Sequence, residues 1–227
     1  MGQKIRPNSL RLGLIENWRS RWWPKGGNFK HQIEEDEVIR RVVKEKVTPA
    51  GIVRIEIERT AANAFKLFIK VARPGLVIGR GGKGIEELAK MIEGKLGALL
   101  KKRGAKNLTV SISLNIEELK RSEASAQYFA QLIAWDLEKR MPARRLMKRY
   151  LELIMQNRDV QGAKVKLSGR IDGAEISRRE TLSKGKLPLQ TLRANIDYGE
   201  ATAFSSYGTV GIKVWLYKGE VFEKSKQ

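Results

Sequence analysis

A glycine-rich run, Val77-Ile78-Gly79-Arg80-Gly81-Gly82-Lys83-Gly84-Ile85, constrains the fold of this 227-residue chain more than any other feature. The segments around it have regular hydrophobic periodicity. Residues 53–58 and 65–71 alternate apolar and polar side chains, which is typical of half-buried strands. Residues 34–46 and 85–100 repeat apolar side chains at helical spacing. The sequence therefore predicts the order helix, strand, strand, glycine loop, helical region.

A boundary between two units is expected shortly after the next strand. Residues 108–114 alternate again and predict the last strand of the first unit. Asn115 and Glu118 then have the spacing of a helix capping box. This spacing predicts a helix that runs to about Arg140, and it places the boundary near residues 115–118.

The rest of the chain predicts a second unit of mixed helices and strands. Pro142 interrupts the first helix of this unit, and another helix is expected to about Asn157. Strand-like runs follow at 163–168, 191–197 and 209–217. We therefore expect an α+β protein whose parts are a basic aromatic arm at 1–33, a first domain at 34–116, a mixed α/β domain at 117–218 and a short tail at 219–227.

The charge of the chain limits its partners. Lys and Arg number 45 against 25 Asp and Glu, which gives a net charge of +20. Such an excess repels itself in a compact fold, and a polyanionic partner such as RNA or DNA offsets that repulsion. The absence of cysteine and the presence of a single histidine, His31, exclude disulfides, thiolate metal sites and multi-histidine zinc sites. No apolar run is long enough for a membrane span, and we expect a cytoplasmic protein without metal or cofactor.

The glycine run fits one of three phosphate-binding patterns. A dinucleotide-binding loop needs an acidic residue about 20 positions further on, and residues 94–116 contain no Asp or Glu. A nucleotide-hydrolase loop needs glycine at position 77 and Ser or Thr at position 84, but this chain has Val77 and Gly84 there. A GxxG clamp for single-stranded nucleic acid remains, and a plain tight turn is the alternative. The candidate residues are Gly79, Arg80, Gly81, Gly82 and Lys83.

A cluster of basic residues at 140–149 predicts a second nucleic-acid site. On a helix, Arg144, Arg145, Lys148 and Arg149 fall within about 140° of one side, with apolar residues mostly on the other. Such a cationic face suits RNA phosphates, and a membrane-surface helix is the rival interpretation. We favour RNA because the apolar stripe lies between elements that need a core.

The arm combines positive charge with aromatic residues. Residues 1–31 contain seven basic residues and one acid, Glu16, and they also contain Trp18, Trp22 and Trp23. These aromatic side chains could stack on bases, or they could hold the arm against a domain. The acidic run at 34–37 is expected at the start of the first helix, where it would complement the helix dipole.

The sequence resembles a known family along nearly all of its length. Gly79-Arg80-Gly81-Gly82, with the elements around it, resembles a KH domain of the second topological type, α-β-β-α-α-β. The whole chain resembles the bacterial small ribosomal subunit protein three family. The segments that carry this resemblance are 1–8 with 11–13, 72–79, 144–149, 168–176, 192–198 and 208–215.

This resemblance implies a non-enzymatic protein of the small-subunit head that binds small-subunit ribosomal RNA. It also implies contacts with the neighbouring proteins ten and fourteen. With proteins four and five, the chain would line the channel where messenger RNA enters. There Arg144, Arg145 and Lys148 would help to unwind structured messenger RNA. The KH loop departs from the family at Arg80-Gly81, where members often carry two polar or basic residues. Further RNA contacts are expected at Lys4, Arg6, Arg11, Arg140, Arg149, Arg170, Arg178 and Arg179.

Two other functions compete with this one. A nuclease would need paired carboxylates, and the best pairs are Glu117 with Glu118 and Asp197 with Glu200. We interpret these pairs as helix-capping and turn residues. A free regulatory KH protein of transcription or RNA maturation is the third hypothesis.

Overall fold

The computed structural model describes residues 4–24, 29–61, 64–103, 110–120 and 123–222. The chain divides into two compact units. The first unit is Trp18–Leu119, and the second is Met1–Asn17 together with Lys120–Gln227. The predicted arm at 1–33 is therefore not a separate part, because its described residues divide between the two units.

The secondary structure alternates between helices and strands along the whole chain. In chain order the elements are α1 Pro7–Arg11, β1 Ser20–Arg21, α2 Phe29–Val47, β2 Ile52–Ala61, β3 Ala64–Val71, α3 Pro74–Ile78, α4 Lys83–Lys102, β4 Ser111–Glu118, α5 Ala126–Glu138, α6 Ala143–Met155, β5 Gly162–Gly169, β6 Arg178–Gly185, β7 Ala194–Ser205 and β8 Gly208–Glu220. From α2 to β4 the order is α-β-β-α-α-β, which is the order that the sequence predicts.

The first unit is a four-stranded sheet in the order β1-β2-β3-β4. β2 and β3 are antiparallel, whereas β1 pairs with β2 and β4 pairs with β3 in parallel. Apolar side chains at period two along the strands and at helical spacing along α2 and α4 form one core. Its most deeply buried members include Ile39, Ile57, Leu67 and Ile92.

The second unit is an antiparallel sheet in the order β6-β5-β8-β7. The helices α5 and α6 share one core with the inward side chains of this sheet, among them Ile133, Met147 and Val214. Gly199 lets α5 approach β7 closely, since a Cβ atom there would lie 2.4 Å from the backbone of Ala126.

The predicted capping box at Asn115 and Glu118 is wrong. β4 continues through Glu118, which pairs with Val71, so both residues belong to the strand. The helix begins at Ala126, where the Ser125 side chain accepts a hydrogen bond from the Tyr128 amide. Strand pairing outweighs a local capping pattern because it satisfies the backbone groups of the whole segment.

The acidic run at 34–37 does not start a helix, because α2 begins at Phe29. Glu35 and Asp36 are buried, and both bind Arg59, at 2.8 and 2.5 Å respectively. Glu35 also binds Arg103, at 2.7 Å. This network ties α2 to β2 and to the end of α4. The edge strand β6 is a further difference from the sequence-based expectation, because its polar sequence carries little alternation.

Candidate nucleic-acid interface

The GxxG loop connects α3 to α4 through residues with positive φ. Gly79, Gly81 and Gly82 have φ values of 68°, 64° and 79°. Side chains rarely adopt this conformation, so the loop needs glycine at these positions. Around Gly81 and Gly82, the space that a Cβ would occupy has no described neighbour within 4 Å. The backbone of the loop is therefore open to a ligand.

The loop also carries positive charge beside a helix start. Arg80 and Lys83 are exposed. Gly82 is the N-cap residue of α4 and has no side chain, so it supplies no capping acceptor to the first amides of the helix. Free amides, positive charge and a glycine backbone together suit a phosphate group. Gly84 has a structural role instead, because a Cβ there would lie 2.3 Å from the Val77 carbonyl oxygen.

Helix α6 presents a dense cationic face. Arg144, Arg145, Lys148 and Arg149 are all exposed, and within the described residues none of them forms an ion pair. The opposite side of the helix is buried in the core of the second unit. Its buried residues are Ala143, Leu146, Met147, Tyr150, Leu151 and Ile154. The membrane-surface interpretation needs a free apolar face, and this face is covered by protein.

Two hydrogen bonds fix the orientation of α6. The Ala143 amide donates to Asp172 Oδ1 at 3.0 Å, which caps the start of the helix. The Tyr150 hydroxyl donates to Asp136 Oδ2 at 2.6 Å, which joins α6 to α5. Burial and this carboxylate raise the pKa of Tyr150. The cationic side chains are therefore mounted on a rigid helix.

Arg11 requires a correction to the predicted RNA contacts. It is fully buried, and its guanidinium donates to four backbone carbonyls. The acceptors are the carbonyl oxygens of Ala194 at 2.6 Å, Thr191 at 2.8 Å, Leu189 at 2.9 Å and Pro7 at 3.1 Å. Burial lowers the pKa of Arg11. Its donors hold α1 against the segment before β7, so it is not available to RNA.

The other side chains predicted to contact RNA differ in their exposure and in whether they already bind a protein group. Lys4, Arg140, Arg149 and Arg179 are exposed. Arg6 binds Glu200, and Arg178 binds Glu180 at 3.1 Å. Arg170 is half-buried, and its Nε donates to the Ala174 carbonyl at 2.9 Å. Arg140 has a φ of 62° at the end of α5, a position where glycine is usual.

The tryptophans of the arm divide between the two predicted roles. Trp22 Nε1 donates to Asp36 Oδ2 at 2.8 Å, and the Arg59 guanidinium lies 4.8 Å from its ring centre. Trp22 therefore holds the end of β1 against α2. Trp18 and Trp23 are exposed and remain available for stacking.

The carboxylate pairs considered for a nuclease are engaged in structural contacts or separated. Glu117 and Glu118 are consecutive strand residues, so their side chains point to opposite faces. Asp197 Oδ2 accepts from the Ala126 amide at 2.8 Å, and Glu200 binds Arg6. Among the described residues, no group of three or more acidic or histidine side chains could hold a metal ion. The described part of the chain also has no helix that could cross a membrane.

Comparisons with known proteins agree with this geometry. A family model described as KH domain matches residues 38–124, and one described as Ribosomal protein S3, C-terminal domain, matches residues 133–216. The small ribosomal subunit protein uS3 of Clostridium novyi (strain NT) is 46% identical over 226 residues, which cover 100% of this chain and 96% of that protein. The uS3 protein of Alkaliphilus oremlandii (strain OhILAs) is 46% identical over 97% of this chain and 87% of its own length. The chain belongs to the uS3 family.

Family membership confirms the resemblance and the fold class. As a uS3-family member, the chain is a structural protein of the small ribosomal subunit with an RNA-binding KH domain, and it is not an enzyme. The nuclease hypothesis is therefore wrong. Membership also favours a ribosomal protein over a free regulatory KH protein.

Proposed function

We propose that this chain binds small-subunit ribosomal RNA in the head of the cytoplasmic ribosome and that α6 faces messenger RNA where it enters. Proteins ten and fourteen would be its neighbours in the head. Proteins four and five would form the entrance with it. The observation that carries this proposal is the cationic face of α6, whose side chains have no acidic partner among the described residues.

Concentrating positive charge on one face of α6 costs stability in the free protein. Arg144 with Lys148 and Arg145 with Arg149 have the i,i+4 spacing at which like charges destabilise a helix by a few tenths of a kcal/mol per pair. A solvated face normally mixes both signs of charge, which avoids this cost. RNA phosphates convert the repulsion into attraction, because each bound phosphate neutralises a charge and releases counterions.

The same face gives a mechanism for opening structured message. A hairpin at the entrance opens and closes transiently, and fixed cations that bind the phosphates of the unpaired strand favour the open state. The movement of the ribosome along the message would then carry the opened strand inward. This mechanism needs no nucleotide site on the chain itself.

Ribosomal RNA binding is expected at several surfaces. The GxxG loop combines an open glycine backbone with Arg80 and Lys83, which suits about four nucleotides of single-stranded RNA. Lys4, Arg140, Arg149 and Arg179 are exposed and add positive charge. Together with α6, these sites should engage roughly six or more phosphates, so binding should weaken steeply with salt. On single strands, the slope of log binding constant against log salt concentration is about −0.7 for each phosphate neutralised.

Cross-linking of message to α6 tests the proposal. A short message with a photoreactive nucleotide just outside the entrance is bound to assembled small subunits and irradiated. Mass spectrometry should then find the nucleotide on the peptide that carries Arg144, Arg145 and Lys148. A message with the same nucleotide at the exit side serves as the control. Cross-links from the entrance nucleotide to other proteins, with none to α6, would overturn the proposal.

A further inference from the structure

The sheet of the second unit has one face that α5 and α6 do not cover. Val165, Val214 and Ile212 point inward to the core beneath α5 and α6. Because side chains alternate along a strand, the residues next to them point to the other side. This outer face carries Lys164 and Lys166 on β5, Arg179, Thr181 and Ser183 on β6, Lys213 and Trp215 on β8 and Tyr198 and Glu200 on β7.

Two lysines lie directly opposite each other on the outer face. Lys166 of β5 is the register partner of Lys213 of β8. Cβ atoms in directly opposed antiparallel positions are about 4.5–5.5 Å apart, and like charges there are destabilising. Within the described residues, neither lysine forms an ion pair. This repulsion is therefore not relieved by an ion pair among the described residues.

The acidic residue next to the pair on this face has other partners. Glu200 of β7 is the register partner of Lys213 on its other side. Its carboxylate binds the Arg6 guanidinium and also accepts from the Tyr198 hydroxyl at 3.1 Å. The positive charge of Lys213 and Lys166 therefore remains free for an external anion.

The residues around the pair suit phosphate more than bases. Next to Lys166 on β6 is Thr181, and Arg179 lies one step along the same face. The nearby aromatic ring is occupied, because Lys164 Nζ lies 5.6 Å from the ring centre of Trp215. Tyr198 also packs against Trp215 with ring centres 5.4 Å apart. Around the pair the face therefore offers cations and hydroxyl groups. An exposed ring of this face, that of Phe204 on β7, lies opposite Thr209 of β8, four residues from Lys213.

The apolar end of the outer face is covered by the chain itself. Ile196 and Tyr217 form a small separate core with Leu187 and Leu189 of the segment between β6 and β7. This segment lies over the end of the sheet that contains Gly162, where a Cβ would lie 1.9 Å from the Lys186 carbonyl oxygen. The chain thus covers the apolar end and leaves the cationic end open.

We infer that the cationic end of the outer face, formed by Lys166, Lys213, Arg179 and Thr181, binds the sugar-phosphate backbone of small-subunit ribosomal RNA. Lysine is depleted at protein–protein interfaces, whereas it binds phosphate well as a point charge. The opposed lysines act as point charges, so recognition here depends mainly on charge. The site rests on the proposed ribosomal RNA binding and deepens it: it includes Arg179, and it uses neither α6 nor the GxxG loop.

A pair of charge-matched double variants tests this site. Lys166→Gln with Lys213→Gln removes the opposed lysines. Lys139→Gln with Lys184→Gln is the control, because these exposed lysines lie on the same unit but outside the face. Binding of each full-length chain to small-subunit ribosomal RNA is measured at several salt concentrations. The face variant should bind more weakly than the control. The slope of its log binding constant against log salt concentration should become shallower by roughly two, about one per lost phosphate contact. Equal losses in both variants would overturn the inference, because net charge alone would explain them.

Folding and the identity of the partner are checked separately. The face variant should melt at or slightly above the temperature of the parent chain, because a like-charge pair is relieved. In intact small subunits, Lys166 and Lys213 should resist amine acylation, and ribonuclease treatment should restore their reactivity. Protection that survives ribonuclease would indicate an acidic protein neighbour, and full reactivity in the subunit would indicate no partner. Either result contradicts the inference, and neither affects the role proposed for α6.

Discussion

The Tyr150 hydroxyl donates a hydrogen bond of 2.6 Å to Asp136 Oδ2. This bond joins α6 to α5 directly behind the cationic face, so it sets the position from which Arg149 and its neighbours reach outward. The bond is formed by a buried tyrosine and a partly buried carboxylate, which makes its loss measurable.

Tyr150→Phe should lower the free energy of unfolding by about 1.5–3 kcal/mol, the usual range for a hydrogen bond to a charged group. The ring still fills the core, so the fold should remain. Tyr207→Phe is the matched control, because Tyr207 is exposed and its hydroxyl has no partner among the described residues. Urea titrations of both variants give the comparison, and equal stabilities would show that the bond contributes nothing.

The raised pKa of a second tyrosine predicts how the free energy of unfolding changes at alkaline pH. Burial and the negative charge of Glu200 raise the pKa of Tyr198 to about 12. In the unfolded chain the tyrosine pKa is about 10. The neutral phenol therefore contributes stability that is fully present below pH 10 and is lost as pH rises through about 12. Tyr198→Phe should therefore show a shallower decline in unfolding free energy than the parent chain between about pH 10 and 12. Lysine titration affects both proteins, so only the difference between their curves tests the assignment.

Breaking the buried ion network of the first unit should lower the free energy of unfolding substantially. Arg59→Ala leaves Glu35 and Asp36 buried without their main partner, and such a loss typically costs about 3–5 kcal/mol. Arg21→Ala removes an exposed arginine from its pairs with Glu56 and Glu58, and it should cost less than about 1 kcal/mol. Chemical denaturation with a probe in the first unit measures both. Similar costs for the two variants would mean that the network is not what holds α2 to β2.

The GxxG loop can be tested without disturbing the fold. Gly82 has a φ of 79° and ψ of 0°, a region that Asn and Asp tolerate better than other side chains, and the space for a Cβ there is open. Gly82→Asp and Gly82→Asn should therefore have similar stability. The aspartate variant should bind short single-stranded RNA more weakly than the asparagine variant, because its charge faces phosphate. Equal affinities for the two variants, measured by fluorescence anisotropy, would indicate that the loop is only a turn.

The sequence predicts the elements that local periodicity determines. The strands around Ile57 and Leu67, and the two-sided helix around Leu146 and Met147, form as expected because burial follows their spacing. The capping box at Asn115 and Glu118 failed because strand pairing with β3 is a non-local interaction. The buried role of Arg11 was hidden for the same reason, since three of its four carbonyl acceptors lie at residues 189–194, far along the chain.

The candidate site also has features that local spacing predicts and features that depend on non-local contacts. The exposed face of α6 follows from helical spacing alone. The opposition of Lys166 and Lys213 depends on the register between β5 and β8, and no spacing within either strand reveals it. The outer face is therefore visible only in the folded structure.

A triple variant tests whether the cationic face of α6 acts on structured messenger RNA. Arg144→Ala, Arg145→Ala and Lys148→Ala together should leave the fold nearly intact, because these side chains are exposed and alanine favours helices. Lys139→Ala, Arg158→Ala and Lys184→Ala together remove the same charge from exposed positions outside α6. Both triple variants should assemble into small subunits.

Elongation rates on matched messages with and without a stable hairpin provide the most direct measurement. Subunits with the α6 variant should slow on the hairpin message and change much less on the unstructured one, and the control variant should resemble the parent chain on both. Equal slowing of the α6 variant on both messages would contradict the claim, because the cluster would then anchor the protein or position RNA without opening it.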